Sequence, residues 1–123
     1  MEELLKLAKK HKNLVVLSAT GCEEFSKYFP ERCFSFGWAE ANMVSAAAGF
    51  ALAGKMPVVI GNGRFLFSKA FDQIQNDICI PNLNVKIIGR GDERIVKGLK
   101  NMKVLSSVDF KEMALNYGPT WYN

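Results

Sequence analysis

Short apolar runs alternate with amphipathic or small-residue segments along the chain. The apolar runs predict strands at Val15–Leu17, Cys33–Phe36, Val58–Ile60, Val85–Ile88, Val104–Leu105 and Thr120–Tyr122. The segments between them predict helices from Leu4 to about Asn13 and at Glu23–Tyr28, Ala39–Gly54, Phe65–Cys79 and Phe110–Asn116. Because several strands are continuous apolar runs, we expect a mostly parallel sheet with helices on both faces. No linker or repeat divides the chain, so the pattern predicts a single α/β domain over residues 1–123, with three α/β/α layers.

Glu40 lies at the start of the predicted helix Ala39–Gly54, whose other residues are nearly all apolar or small. An acid in this position is expected to enter the protein interior with the helix. A carboxyl group removed from water keeps its proton more readily, so it can donate a hydrogen bond at neutral pH. The alternative is a first-turn glutamate that faces water and complements the helix dipole. Position alone favours the alternative, and the interior location needs further support.

The bulk composition is that of an ordinary soluble globular domain. The chain has 123 residues, of which 49% are hydrophobic and 23% are charged. A chain of this length can bury a stable hydrophobic core without disulfides or bound metals. The net charge is +4, and the lysines are scattered rather than gathered in a basic stripe, so we expect no nucleic-acid surface. Gly54, Lys55 and Pro57 interrupt the apolar stretch 43–60, which argues against a membrane span. Residues 1–6 lack the pattern of a signal peptide, and we expect a cytoplasmic protein.

The cysteines and the single histidine do not predict a metal site. Cys22, Cys33 and Cys79 lie far apart without a CxxC pair, and His11 is the only histidine. No Cys/His ligand set of familiar spacing can be assembled from them. We expect reduced thiols that are buried or half-buried, as is usual in the cytoplasm.

Gly61 and Gly63 lie between a predicted strand and a predicted helix, which suits a dinucleotide-binding loop. The third glycine of that motif would fall at Leu66, so a plain tight turn is the better interpretation. A flavodoxin-like nucleotide binder remains a further hypothesis that rests on these two glycines. The residues alone thus predict an α/β domain with one candidate buried acid and without a complete catalytic set.

An ordered series of short motifs runs through the middle of the chain. It comprises Phe29-Pro30-x-Arg32, Phe36–Val44, Ala47–Gly54 with Lys55-x-Pro57, Phe65, Phe71–Asp77 and Pro81–Gly89, and ends in Tyr117–Thr120. This series resembles the pyrimidine-binding (Pyr) domain of transketolase-family enzymes, which use thiamine diphosphate. The match is dense over about half of the chain and looser over most of the rest.

The resemblance implies roles for two residues. The glutamate that matches Glu40 hydrogen-bonds a ring nitrogen of the cofactor's aminopyrimidine, which favours the tautomer that removes the thiazolium proton. The aromatic that matches Phe65 packs on the pyrimidine ring, although simple core packing is an alternative for Phe65. In this family the diphosphate and its Mg²⁺ are held by a different domain, with a Gly-Asp-Gly motif and a downstream Asn that this sequence lacks. The resemblance therefore implies a diphosphate-binding partner subunit, in a homo- or hetero-oligomer.

The sequence also departs from the family pattern. A second ring-facing aromatic falls at Asn62, a further position near the ring falls at Ser68, and an acid usual after the first strand is replaced near Thr20. The family's long loop with glycine and histidine is replaced by residues 90–98, which contain no histidine. Two hypotheses follow. The first is a stand-alone Pyr subunit of a split thiamine-diphosphate enzyme that transfers ketol or aldehyde groups. The second is a degenerate, non-catalytic domain that serves in binding or assembly.

Overall fold

The computed structural model describes residues 1–91 and 96–123, and their strands form one parallel sheet. The strand order is β2-β1-β3-β4-β6-β5, and every pair of neighbouring strands is parallel. The strands are β1 (Leu14–Ser18), β2 (Cys33–Ser35), β3 (Met56–Asn62), β4 (Lys86–Arg90), β5 (Lys103–Leu105) and β6 (Thr120–Tyr122). The predicted α/β fold with a parallel sheet is confirmed.

Helices cover both faces of the sheet. One face carries α3 (Glu40–Leu52), α4 (Gly63–Gln73) and a π-helical segment (Ile74–Cys79), and the other carries α1 (Glu2–Lys10), α2 (Glu23–Ser26) and α5 (Phe110–Leu115). Short 3-10 segments span Pro30–Arg32 and Val96–Gly98. Side chains of alternate residues in each strand enter opposite cores, since Val15 and Leu17 pack toward α3 while Leu14 and Val16 pack toward α1. Within the described ranges, no helix has the length and apolar character needed to cross a membrane.

Some helix boundaries differ from the prediction. The first helix ends at Lys10 because His11 already has an extended backbone. The predicted helix Phe65–Cys79 begins earlier, at Gly63, and loses helical geometry at Ala70 (φ −130°, ψ 18°) before the π-helical segment. Periodicity predicts the apolar face of this region, but the break at Ala70 depends on packing and is not visible in the pattern.

The cysteine expectation was wrong for two of the three residues. The sulfur atoms of Cys22 and Cys33 are joined in a disulfide, with their Cα atoms 6.3 Å apart. Cys22 directly precedes α2 and Cys33 begins β2, and the segment between them, which contains α2 and the 3-10 segment Pro30–Arg32, brings the two side chains together. Sequence spacing does not reveal such a tertiary contact. Cys79 is a buried free thiol, as expected.

Arg32 connects the end of α1 to the start of β2. Its guanidinium lies 3.9 Å from the centroid of the Phe29 ring. It also donates hydrogen bonds of 3.2 to 3.4 Å to four backbone carbonyl oxygens, those of Ala8, His11, Lys12 and Leu14. These carbonyls lie at and just beyond the C-terminus of α1, where helical partners are lacking. Arg32 therefore anchors α1 against the strand that leads toward Glu40.

We expect Arg32→Met to lower the free energy of unfolding by about 1.5–3 kcal/mol, because hydrogen bonds from a charged donor to half-buried carbonyls are lost. Arg32→Lys should recover only part of this loss, since an ammonium cannot replace the planar fork of the guanidinium. Urea unfolding followed by circular dichroism measures the change. Lys27→Met, at an exposed position, is the matched control. A loss below about 0.5 kcal/mol for Arg32→Met, typical of a neutral surface change, would contradict this role.

Burial shifts the pKa values of three side chains, those of Lys86, Cys79 and Tyr122. Lys86 is fully buried, and its ammonium donates hydrogen bonds to the carbonyl of Gly118 at 2.9 Å and to the carbonyl of Asn116. Burial, aided by the charge of Lys103, lowers the pKa of Lys86 from 10.5 to about 8. Burial raises the pKa of the Cys79 thiol from 9.0 to about 11. Burial is also the main cause that raises the pKa of the Tyr122 hydroxyl from 10.0 to about 12.

These shifts predict a maximum of stability near pH 9 to 10. Between pH 8 and 9 only Lys86 matters, and the unfolded chain binds more protons than the folded chain. The free energy of unfolding should therefore rise, by up to about 1.4 kcal/mol per pH unit. Above pH 9 the unfolded chain loses the Cys79 proton while the folded chain keeps it, which cancels this rise. Above pH 10 the same difference at Tyr122 makes the free energy of unfolding fall.

Urea unfolding at pH 7.5 to 11 measures this profile. In Cys79→Ala the rise should continue to about pH 10, because only Lys86 then titrates in that range. A free energy of unfolding that falls between pH 8 and 9 in the unmodified chain would contradict a lowered pKa of Lys86.

Candidate functional site

The carboxyl ends of the parallel strands meet at one edge of the sheet, and both predicted site residues follow strands at that edge. Glu40 is the first residue of α3, shortly after β2 ends at Ser35, and Phe65 lies in the first turn of α4, directly after β3. Open parallel sheets bind ligands at this edge. The structure thus brings together two residues that are far apart in sequence.

Glu40 is completely buried. Its side chain has 0% exposure, and it lies on an apolar helix whose Met43 and Val44 are equally buried. Within residues 1–91 and 96–123, the carboxyl oxygen Oε1 has no hydrogen-bond partner. The interior location is therefore observed, and a glutamate that faces water is excluded. A buried polar atom without a partner in the chain calls for an explanation, such as an ordered water, a bound ligand or a functional role.

Lys69 supplies the charge that faces Glu40. Its ammonium nitrogen lies 2.6 Å from Glu40 Oε2, a charge contact without the direction of a well-formed hydrogen bond. The same nitrogen donates a hydrogen bond of 2.7 Å to the carbonyl oxygen of Trp38. Its side chain is 45% exposed. Sequence reasoning missed Lys69, and its position four residues after Phe65 on one helix face is the only signal that could have indicated it.

An aromatic pair lies beside these charges. The rings of Trp38 and Phe65 meet edge to face with centroids 6.0 Å apart, and the Lys69 ammonium lies 5.7 Å from the Phe65 ring centroid. Trp38 is 65% exposed and Phe65 is 38% exposed. Phe65 is therefore only partly buried, and the exposed part of its side chain lies beside Trp38 and Lys69.

The start of α4 is fixed by two neighbouring residues. The Asn62 side-chain oxygen caps the helix, accepting hydrogen bonds from the backbone N–H groups of Arg64 (3.0 Å) and Phe65 (3.4 Å). A Cβ atom at Gly63 would overlap the backbone carbonyl of Arg90, so only glycine allows α4 to begin against the end of β4. Asn62 thus uses the N–H groups that a phosphate would need, which supports the tight-turn interpretation of the two glycines.

The other departures from the family pattern lie at the surface. Ser68 is exposed on α4, and Thr20 is exposed after β1, where its N–H donates to Ser18 Oγ at 3.3 Å. Of the segment that replaces the family loop, residues 92–95 lie outside the described part of the chain. In the part that is described, no three His, Cys, Asp or Glu side chains come together as metal ligands would.

Comparison with known proteins places this geometry in a family. The model of the transketolase pyrimidine-binding domain matches residues 1–93. A Methanocaldococcus jannaschii protein named as the C-terminal section of a transketolase is 35% identical in an alignment 130 positions long, which covers 89% of this chain and 41% of that protein. A 1-deoxy-D-xylulose-5-phosphate synthase of Desulfotalea psychrophila is 43% identical over 91 residues, 70% of this chain and 14% of the synthase.

Solved structures of transketolases have a similar fold. A structure described as a split-gene transketolase, an inactive beta4 tetramer, superimposes with a TM-score of 0.90 at 32% identity, over 98% of this chain and 48% of that one. A transketolase of Campylobacter jejuni superimposes with a TM-score of 0.71 at 15% identity, over 97% of this chain and 23% of that one, and shows the fold alone. This chain spans less than half the length of each of these four proteins. By the family model, the sequence relatives and the shared fold, the chain belongs to the transketolase pyrimidine-binding domain family.

Proposed function

We propose that this chain is the pyrimidine-binding subunit of a split thiamine-diphosphate enzyme, and that Glu40 contacts the aminopyrimidine ring of the cofactor. The observation that carries the proposal is the buried Oε1 atom of Glu40, which has no partner among the described residues. A ring nitrogen of the aminopyrimidine is a partner of the required chemistry, since a carboxyl group can exchange a proton with it.

The cofactor ring suits the groups around Glu40. An aminopyrimidine is flat and aromatic and has polar atoms on its edge. The exposed ring of Phe65 offers a surface for offset stacking, and Trp38 extends the apolar rim beside it. The dry surroundings of Glu40 strengthen any hydrogen bond that it makes to the ring. The described residues therefore fit the pyrimidine half of thiamine diphosphate.

The proposal requires a second chain. The relatives that carry the resemblance are at least twice as long, and two of them are described as a C-terminal section and as a split-gene product. Their descriptions support an enzyme whose parts are encoded separately. We infer that the diphosphate group and its Mg²⁺ are held by a diphosphate-binding transketolase-like subunit, and that the oligomer joins the two half-sites in the cytoplasm.

The division of work follows from the chemistry. Thiamine diphosphate, when bound, supplies the carbanion chemistry of ketol or aldehyde transfer. Glu40 holds and moves a proton at the ring nitrogen, and its burial keeps water from competing for that proton. Phe65 would support the ring by stacking against it.

We expect Glu40→Gln to slow exchange of the cofactor's thiazolium proton by about 10²- to 10⁴-fold, because the amide cannot move a proton at the ring nitrogen. The exchange is followed by NMR in deuterated water, in the complex of this chain with the diphosphate-binding subunit that co-purifies with it. Glutamine has nearly the same shape, so the Tm of the free chain should change little.

Glu31→Gln is the matched control, because it makes the same change at an exposed residue before β2, at the opposite edge of the sheet. An exchange rate that Glu40→Gln leaves unchanged would refute the catalytic role. It would instead favour the degenerate domain that serves only in binding or assembly.

Phe65→Leu tests the ring contact separately. Loss of aromatic stacking should weaken thiamine diphosphate binding by about 2- to 12-fold, the equivalent of 0.5–1.5 kcal/mol, with a smaller effect on the exchange rate at saturation. Isothermal titration of the assembled complex measures this affinity. Tyr117→Leu removes another exposed ring, just beyond α5, and should bind the cofactor as the unmodified chain does. Equal affinities for all three proteins would show that Phe65 does not support the ring.

A further inference from the structure

The Lys69 ammonium group makes three contacts of different kinds at the proposed pyrimidine site. Its nitrogen lies 2.6 Å from the Glu40 carboxylate, donates a 2.7 Å hydrogen bond to the Trp38 carbonyl, and lies 5.7 Å from the centroid of the Phe65 ring. A carboxylate, a carbonyl and an aromatic face are the partners that an amino-substituted aromatic ring also seeks. Lys69 therefore competes for groups that a cofactor ring would use.

The two members of this ion pair differ in their freedom to move. Glu40 is fixed at the start of α3 with no side-chain exposure, whereas Lys69 is 45% exposed. A lysine has a flexible stem and a strongly hydrated head, so it can turn into water at little cost. A carboxylate enclosed by apolar residues cannot. When the pair separates, Lys69 is the group that leaves.

We propose that Lys69 is a resident counter-ion, which neutralises Glu40 in the free chain and is displaced when the aminopyrimidine ring binds. This inference rests on the proposed function, and it adds a positioning residue that holds the site closed before the cofactor arrives. A buried carboxylate without an opposite charge destabilises a fold, so Lys69 allows Glu40 to be buried before assembly. In return, cofactor affinity is reduced by the fraction of molecules in which Lys69 still occupies the site.

The test is Lys69→Met, which keeps an unbranched stem, one atom shorter, and removes the charge. We expect the assembled complex to bind thiamine diphosphate about 5- to 10-fold more tightly, because no ion pair has to separate first. The Tm of the free chain should fall by about 3–6 °C, because Glu40 loses its counter-ion. Isothermal titration and thermal melts followed by circular dichroism measure the two effects. Lys55→Met, an exposed lysine beyond the far end of α3, should change neither.

A double-mutant cycle tests the ion pair without the cofactor. In the Glu40→Gln background the carboxylate is gone, so Lys69→Met should no longer lower the Tm of the free chain. An equal fall in both backgrounds would overturn the counter-ion role. Lys69→Gln, which stays polar, replaces Lys69→Met in both experiments if the methionine variant does not fold.

The outcomes separate this proposal from the proposed function. Binding that is unchanged or weaker in Lys69→Met, beside a Glu40→Gln variant that slows thiazolium exchange, overturns the displacement and leaves the proposed function intact. An unmodified complex that binds no thiamine diphosphate refutes the proposed function and the displacement together. The double-mutant cycle then still decides whether Lys69 is the counter-ion of Glu40.

Discussion

The burial of the Glu40 carboxylate is the constraint around which the candidate site is organised. Removing a charge from water destabilises a folded chain unless opposite charge or hydrogen bonds compensate. Here the compensation comes from the start of α3, where unpaired N–H groups favour negative charge, and from the Lys69 ammonium at 2.6 Å. The same ammonium group also donates a hydrogen bond of 2.7 Å to the Trp38 carbonyl and lies near the Phe65 ring. The buried charge is thus linked through Lys69 to the polar and aromatic groups around it.

Much of the fold and part of the site could be predicted from the sequence. The strands are short apolar runs with turns between them, and a parallel sheet requires helices on both faces, so local pattern was sufficient for the architecture. A parallel sheet also directs the chain to the same edge after every strand. Glu40 after β2 and Phe65 after β3 could therefore be expected to lie near each other, although their burial and exposure could not.

The features that were missed depend on tertiary contacts. Lys69 follows a polar residue on an exposed helix face, where most lysines are simply solvated, and only the packing of α4 beside α3 brings it to Glu40. The same holds for the Cys22–Cys33 disulfide, which joins the residue before α2 to the first residue of β2. Neither periodicity nor spacing carries this information, because both describe neighbours along the chain rather than neighbours in space.

The loss of helical geometry at Ala70 has a consequence for the way the site responds. Phe65 and Lys69 both lie on the segment of α4 before this break, and Leu66 on the same segment is as fully buried as Ile74 beyond it. The helix before the break is therefore a core-anchored piece that carries both site residues about one turn apart. Any shift of that piece moves the aromatic surface and the ammonium group together. The Phe65 ring and the Lys69 ammonium therefore cannot move independently through the backbone. A backbone shift that fits one of them to a ligand also moves the other.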